Sequence, residues 1–370
     1  MNAQLSAISK ELNINTDVCT HRFELALSDC HVTVYSNTTA LVAELKDYFR
    51  SYPQDTESSS EAANKGLEIY LIERSEPAPV YPWADWAREA GKSGRKDSYV
   101  DMHQGRLLHK VRTGMTFFQS NSSKIALGPC LKNINQIVNF INNQYMNYLQ
   151  QQAYVICHAA AVSINGKGTA VAAFSGGGKS TLMLKLMDHA DAKFISNDRL
   201  FLKSDAGKVT ARGVPKLPRI NPGTILNNPK LLSIIDPKEQ QHLNQLPKAE
   251  LWDLEQKYDV MIDDVYGDQK VHLETKLDVV LLLNWDRSST AKPQLKKINP
   301  TDHTELIRAI MKSPGPFFQD EEGGFLMGPE IPALDRYLSV LNNVDVYEVH
   351  GGVDFEHIAE IYLSLTQPQD

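Results

Sequence analysis

Apolar and polar residues alternate through HRFELALSDCHVTVY (residues 21–35), a period of two that predicts two short strands joined around Ser28-Asp29. From Thr38 to Phe49 the spacing becomes helical. Leu41, Val42, Leu45, Tyr48 and Phe49 share a face, and Thr38 or Thr39 is placed to cap the N-terminus. The polar run DTESSSEAANKG predicts a loop, and LEIYLIE (67–73) another strand. SYVDMHQGRLLHKV predicts a hairpin turning at Gln104-Gly105, and a helix rich in Ile, Tyr and Met is predicted from Ile134 to about Gln152. These elements predict a smaller, mixed α+β domain over residues 1–150.

The texture then changes. Ala159 to Ile164 is a strand of small apolar residues, Asn165-Gly166 is a hairpin turn signal, and Thr169 to Phe174 is the return strand. A glycine run follows at once, and TLMLKLMDHA after it is helical. Lys193 to Leu202 predicts a strand with Asn197-Asp198 inside it. The proline-rich stretch Val214 to Pro222 interrupts regular structure, and LDVVLLLNW (277–285) predicts a buried strand. No internal repeat is visible. The expectation is an α/β domain over 151–370, with a phosphate-binding loop at the end of a hairpin strand in a mixed sheet.

Composition narrows the class of function. A net charge of −7 argues against a general nucleic-acid binder and offers no polybasic membrane anchor. No stretch approaches the roughly 18 uninterrupted apolar residues of a membrane helix, and MNAQLSAISKELNI lacks the layout of a secretory signal. Cys19, Cys30, Cys130 and Cys157 are far apart and form no CxxC pair, so buried or free thiols and a cytoplasmic location are expected.

The chemistry concentrates in Ala173-Phe174-Ser175-Gly176-Gly177-Gly178-Lys179-Ser180-Thr181. Phosphate oxygens need several donors at once and a close approach of backbone. Glycines permit both, because they reach positive φ without a Cβ penalty. Successive N–H groups then form an anion nest, and the following helix adds its positive end. Lys179 would reach the β/γ oxygens of ATP, and Ser180 or Thr181 would place a hydroxyl on Mg²⁺. The GxxxxGK[ST] pattern is met except at its first position, where Ala173 stands for glycine. With Gly or Ala allowed there, a chance match in this length arises about 3% of the time at average usage. Asp198, on the next predicted strand, could hold Mg²⁺ or accept the proton of an attacking hydroxyl.

CHAAAVSINGKGTAVAAFSGGGKSTLMLKLM followed by KFISNDRLFL resembles the core of HPr kinase/phosphorylase and the phosphoenolpyruvate carboxykinase-like kinase fold. With GRKDSYVDMHQGRLLHKVRTGM upstream, the pattern is closest to the HPr-kinase-related kinases of the B type. The resemblance is strong over about 155–202 and loose through RGVPKLPRINPG and LDVVLLLNWD. It implies that His158 tunes the catalytic acid, that Ser175, Gly176, Gly177, Gly178, Lys179, Ser180 and Thr181 hold ATP, and that Ser180 and Asp198 hold Mg²⁺. It also implies a serine-type hydroxyl acceptor, on a protein or a small molecule, and a possible homo-oligomer. Asn197-Asp198 sits where the family has Asp-Asp, and an amide cannot act as a general base. Asp198 is thus the only acid of the pair. The glutamate of the family's EIRGxG signature is missing as well, with RINPG in that region.

Other residues carry weaker signals. Lys216 and Arg219, on the proline-rich loop, could clamp a transferring phosphoryl group or be ordinary solvated charges. The basic segment Arg88, Lys92, Arg95, Lys96, Arg106, Lys110 and Arg112 reads as a solvated hairpin face rather than an anion entry. Asp263-Asp264 reads as turn-forming acids. Arg199 should orient Asp198, and Lys312-Ser313-Pro314-Gly315 is a faint match to a late family loop. The rival class of function is an ATP-binding regulatory or scaffold protein with weak transfer or none, motivated by Asn197. A carboxykinase-type enzyme would need clustered basic and metal-binding residues, and the sequence near the glycine run shows no such cluster.

Overall fold

The structure, a computed structural model, describes residues 12, 14–54, 66–76, 80–88, 94–103, 105–247, 250–251, 254 and 256–366. Most of the N-terminal stretch, nearly all of the polar run, Lys92 and Gln104 lie outside them. The fold is α/β with mixed sheets, divided into two compact units. The first is residues 1–154 with 313–331, and the second is 155–312 with 332–370.

In the first unit β1 (His21–Leu27), β2 (Cys30–Ser36), β3 (Gly66–Glu73), β4 (Ala84–Asp85), β5 (Asp97–Met102), β6 (Gly105–Lys110), β7 (Thr116–Gln119) and β8 (Lys124–Gly128) form one sheet, in the order β1-β2-β3-β8-β7-β6-β5-β4. The alternation read in 21–35 is the observed burial: Phe23, Leu25 and Leu27 face Val34, Val32 and Cys30 across the ladder. Ser28 turns the hairpin at φ 53°. Helix α1 (Thr39–Tyr48) is capped by Thr38, whose hydroxyl accepts from the Ala40 N–H at 3.3 Å. Helix α2 (Ile134–Gln151) buries Asn142, Gln144 and Asn147 beside its apolar residues.

Buried amides need partners, and segment 313–331 supplies some. The Phe317 carbonyl accepts from Gln119 Nε2 at 2.8 Å and Asn147 Nδ2 at 2.7 Å. The Phe317 ring packs on Phe117 and Phe140 at 5.4 and 5.5 Å. The basic segment, expected as a solvated face, is exposed at Arg95, Lys96 and Arg112, but that reading is corrected at Arg106 and Lys110. Arg106 is fully buried, bidentate to Asp101 and 4.2 Å above the Tyr99 ring, and Lys110 pairs with Asp97 at 2.6 Å.

The second unit holds β9 (Val155–Cys157), β10 (Ala159–Ile164), β11 (Lys167–Ala173), β12 (Lys193–Ser196), β13 (Leu200–Asp205), β14 (Lys208–Gly213), the short pair β15 (Arg219–Ile220) and β16 (Tyr258–Asp259), β17 (Glu274–Leu283), β18 (Gln294–Lys297) and β19 (Asp345–His350). The main sheet runs β12-β10-β11-β17-β14-β13-β9, with β19 parallel to β17 and β18 at its side. Asn165 and Gly166 both take positive φ in the β10–β11 turn, as a two-residue hairpin of this twist requires. β11 and β17 are parallel and nearly continuous in apolar residues, because both faces are covered.

Alternate residues of β10 and β11 feed two cores. Ala160, Val162, Val171 and Ala173 face α3 (Lys179–Leu186) and its neighbours, while Ala159, Ala161, Ala170 and Ala172 face the opposite layer. Helix α4 (Pro222–Leu226) starts on a proline. Helices α5 (Leu334–Leu341) and α6 (Phe355–Thr366) complete the two layers: Tyr337 and Leu341 on one face, Ile358 and Tyr362 on the other.

Two sequence expectations need correction. The single strand expected over Lys193–Leu202 is two strands, β12 and β13, broken at Asn197–Arg199. The chain leaves the partner of β10 there and joins the partner of β9, which the periodicity of KFISNDRLFL does not reveal. The proline-rich stretch also contains a short strand, β15, and its Pro222 opens a helix. The four cysteines are buried free thiols.

Candidate active site

The glycine run leaves β11 at Ala173 and enters α3 at Lys179. Gly176 and Gly178 take φ of +74° and +89°, a region costly to any residue with a Cβ. Space is short as well. A Cβ on Gly177 would lie 2.5 Å from Ala173 Cβ, and one on Gly178 would lie 2.7 Å from the Phe355 ring. The loop is braced from behind: Trp285 Nε1 donates to the Gly177 carbonyl at 3.1 Å and Arg287 Nη2 to the Gly176 carbonyl at 2.5 Å. Trp285 itself is held edge-on against Phe355, with ring centroids 4.7 Å apart. The first-turn N–H groups of α3 have no intrahelical acceptor, as at any helix start. Lys179 folds back toward the Ala173 carbonyl at 3.4 Å, and burial pushes its ammonium below the usual lysine range, with Lys312 adding to the effect.

Other segments of the chain meet this loop around a cleft of about 540 Å³. His158 stands at the bend between β9 and β10, its N–H donating to the Ile310 carbonyl at 2.7 Å. Asn197, Asp198 and Arg199 occupy the break between β12 and β13, braced by Ser196 Oγ donating to the Arg199 carbonyl at 2.6 Å. Because β9 pairs with β13 and β10 with β12, the two bends fall opposite each other. His158 Nε2 lies 3.2 Å from Asp198 Oδ1, while Arg199 and Lys312 each lie 3.6 Å from Oδ2.

Lys312 reaches this position by a route invisible in the sequence. Met311 bridges to Cys157, and the Lys312 N–H donates to the buried Tyr337 hydroxyl at 3.1 Å, which donates to the Ile156 carbonyl at 2.8 Å. Lys312 is the site residue that carried least weight in the sequence, and Tyr337 carried none.

Electrostatics fix the protonation states. Burial alone would raise the Asp198 carboxyl. The His158 hydrogen bond and the Lys312 and Arg199 charges outweigh it, holding the acid well below the usual carboxylate range. His158 shows the converse balance. Its bond to Asp198 favours the imidazolium, but burial together with Lys312 and Lys179 prevails and lowers it. Near neutral pH the pair is therefore a carboxylate and a neutral imidazole that donates from Nε2.

Lys216 and Arg219 also line the cleft, with Lys257. Arg219 pairs with Asp259 at 3.0 Å. Of the basic and metal-binding cluster that the sequence near the glycine run did not show, the basic part converges in the fold from scattered positions, while among the described residues no metal-enclosing group joins it. Asn197 Oδ1 and Arg199 Nη1 are buried without a hydrogen-bond partner in the structure. Asp263-Asp264 lie in the first turn of a short helix, where Asp263 accepts from the Lys270 N–H, outside the cleft.

The donor set suits a hard cation better than a zinc-type ion. Among the described residues no group of three or more His, Cys, Asp or Glu could enclose a metal. Ser180 and Asp198 are oxygen donors on one cleft, the sparse protein contribution with which Mg²⁺ is held beside substrate phosphates. Thr181 Oγ1 is engaged with Thr224 Oγ1 at 3.0 Å, which leaves Ser180 the better hydroxyl for that role.

No family model matches the chain, and no curated protein matches it in sequence. Among solved structures, an HPr(Ser) kinase/phosphatase from Coxiella burnetii is similar at 10% identity and a TM-score of 0.28, over 57% of this chain and 99% of its own. A likeness this slight decides nothing about the site. Among the described residues no helix is long and apolar enough to cross a membrane.

Proposed function

We propose that this chain is an ATP-dependent kinase of the HPr-kinase-related type, which moves the γ-phosphoryl group to a hydroxyl acceptor. One observation carries the reading. A carboxylate held ionised by His158, Arg199 and Lys312 shares a cleft with a glycine loop that ends in Lys179 at a helix start. The resemblance of 155–202 to that kinase group supports it independently.

In the proposed reaction the acceptor oxygen forms a bond to Pγ, the bond from Pγ to the β,γ-bridging oxygen breaks, and ADP leaves with the electron pair. The acceptor proton passes to Asp198. An acid this strong is a poor base for early deprotonation. It suits a loose transition state, in which the hydroxyl proton leaves late and the carboxylate mainly orients the nucleophile. His158 holds the carboxylate by donating from Nε2. Lys179 and the loop N–H groups receive the phosphate oxygens, and Lys312 and Arg199 lie where charge spreads over the transferring group. Mg²⁺ held by Ser180 and Asp198 would neutralise charge between the β- and γ-phosphates.

The test is incubation with γ-labelled ATP, Mg²⁺ and hydroxyl acceptors, with Asp198→Ala as control. Label transfer above the control supports the kinase. Measurable ATP binding with no transfer beyond the control would sink it in favour of the second reading, a nucleotide-binding regulatory protein. Asn197, an amide where the resembling family has an acid, is what favours that second reading.

A further inference from the structure

We propose that Arg199, Lys216 and Arg219 form a subsite for an anionic group, a carboxylate or a phosphate, carried by a small acceptor beside its reacting hydroxyl. The word acceptor rests on the phosphotransfer reading; the anion subsite does not.

The cleft wall is strongly cationic. Among the described residues Lys179, Arg199, Lys216, Arg219, Lys257 and Arg287 line it, against the single acid Asp198. Lys179 belongs to the phosphate loop and Arg287 braces it. Arg199 is shared with Asp198 and Arg219 pairs with Asp259 at 3.0 Å, yet among the described residues the cations beyond the loop still outnumber the acids that line the cleft.

The proline-rich loop is built to hold two of these cations in place. In VPKLPRI the residues Val214, Leu217 and Ile220 are buried, at 3%, 5% and 2% exposure. They tie the loop down, and the Val260 N–H donates to the Pro218 carbonyl at 2.9 Å. Lys216 and Arg219 are the two residues of the stretch that are not buried, and both line the cleft. Two prolines restrict the backbone that carries them, so the cations are presented by a stiff strap rather than a mobile one.

These cations also bear on one another. Burial pushes the Lys216 ammonium down to about 8, and Arg199 and Arg219 add their repulsion against the pull of Asp198 and Asp259. Arg199 Nη1 is buried and has no hydrogen-bond partner in the structure. Like charges gathered in a recess raise one another's energy, and an anion between them relieves it while satisfying the guanidinium. Arg199, with its side chain 29% exposed, and half-buried Lys216 are recessed while Arg219 stands exposed at the rim, an arrangement that favours a small ligand entering past Arg219.

In the transfer the subsite would hold the anion while the neighbouring hydroxyl oxygen bonds to Pγ, the bridging oxygen departs with ADP, and the proton goes to Asp198. The experiment is calorimetric titration of the full chain, saturated with Mg²⁺ and a non-hydrolysable ATP analogue so that the glycine loop is filled. Glycerate, glycerol 3-phosphate and uncharged glycerol are the probes.

At least one anion should bind ten or more times tighter than glycerol, and which one binds tells carboxylate from phosphate. Lys216→Gln and Arg219→Gln should each weaken it at least tenfold, Lys216→Arg should retain it, and affinity for the analogue should stay unchanged in all three. Unchanged thermal unfolding of the variants excludes misfolding as the cause. Anions no tighter than glycerol, or anion binding indifferent to both neutral substitutions, would overturn the subsite and leave a macromolecular acceptor as the better reading. Failure of the analogue itself to bind would instead strike the phosphotransfer reading, and the same titration on the free protein would still decide the subsite.

Discussion

The two walls of the cleft are built on different principles. The glycine wall is one continuous stretch, Ala173 to Thr181, whose geometry follows from local rules: positive φ at Gly176 and Gly178, then a helix start. The acid wall is assembled from four separated places, His158, Asn197–Arg199, the strap bearing Lys216 and Arg219, and Lys312. The first wall recognises a feature shared by all nucleotides. The second holds the groups that would distinguish one reaction and one acceptor from another. A local motif thus identifies the ligand class, while chemistry and specificity depend on tertiary contacts.

The largest predicted effect lies on the acid wall. Asp198→Asn should lower kcat about 10²–10⁴-fold while the dissociation constant of ATP measured without Mg²⁺ changes little. A similar loss in both would merge the two walls into one binding surface. Next comes Lys179→Ala, which removes a charge-assisted contact to phosphate. ATP should bind about 10–100-fold more weakly, from the roughly 1.5–3 kcal/mol such contacts contribute; an unchanged dissociation constant would place the nucleotide elsewhere. Gly178→Ala sharpens the comparison from the structural side. The left-handed backbone costs a Cβ about 1–2 kcal/mol, and the Phe355 ring must also yield. The unfolding midpoint should fall and nucleotide affinity with it, whereas an unaffected midpoint would show the loop to be softer than its packing against Trp285 and Phe355 implies.

How much of this was legible in the sequence follows from the same contrast. The β1–β2 hairpin, the Thr38 cap, the Asn165-Gly166 turn and the α2 boundaries are governed by neighbours in the chain, and their signals are plain. The break at Asn197–Arg199 was not, because Asn197-Asp198 read as chemistry inside one strand and the apolar positions on either side continue one another. It arises from pairing with two different strands, β10 and β9. Lys312 was unreadable for a related reason. Only the bridge of Met311 to Cys157 and the Tyr337 hydroxyl bring it to Asp198. Segment 313–331 carried only the faint match of Lys312–Gly315, yet Phe317 packs on Phe117 and Phe140 and its carbonyl accepts from the Asn147 amide of α2, contacts that no local pattern announces.

The smallest expected effect is a titration, and it separates the strap from the loop. Burial, then Arg199 and Arg219, push Lys216 down from 10.5 to about 8, against the favourable pull of Asp198 and Asp259. Between about pH 8 and the unfolded value near 10.5, the folded protein binds fewer protons at this lysine than the unfolded chain does. Its contribution to stability therefore rises with pH across that window. A bound anion favours the charged lysine and reverses part of the shift, so binding must take up protons there. With the glycine loop filled by the ATP analogue, anion affinity should fall above pH 8, by up to about tenfold per pH unit, while analogue affinity holds. Calorimetry in buffers of different ionisation enthalpy should register the uptake, and Lys216→Gln should abolish it. Proton release, or an uptake that persists in that variant, would move the anion to another cation and return Lys216 to the role of a buried strut.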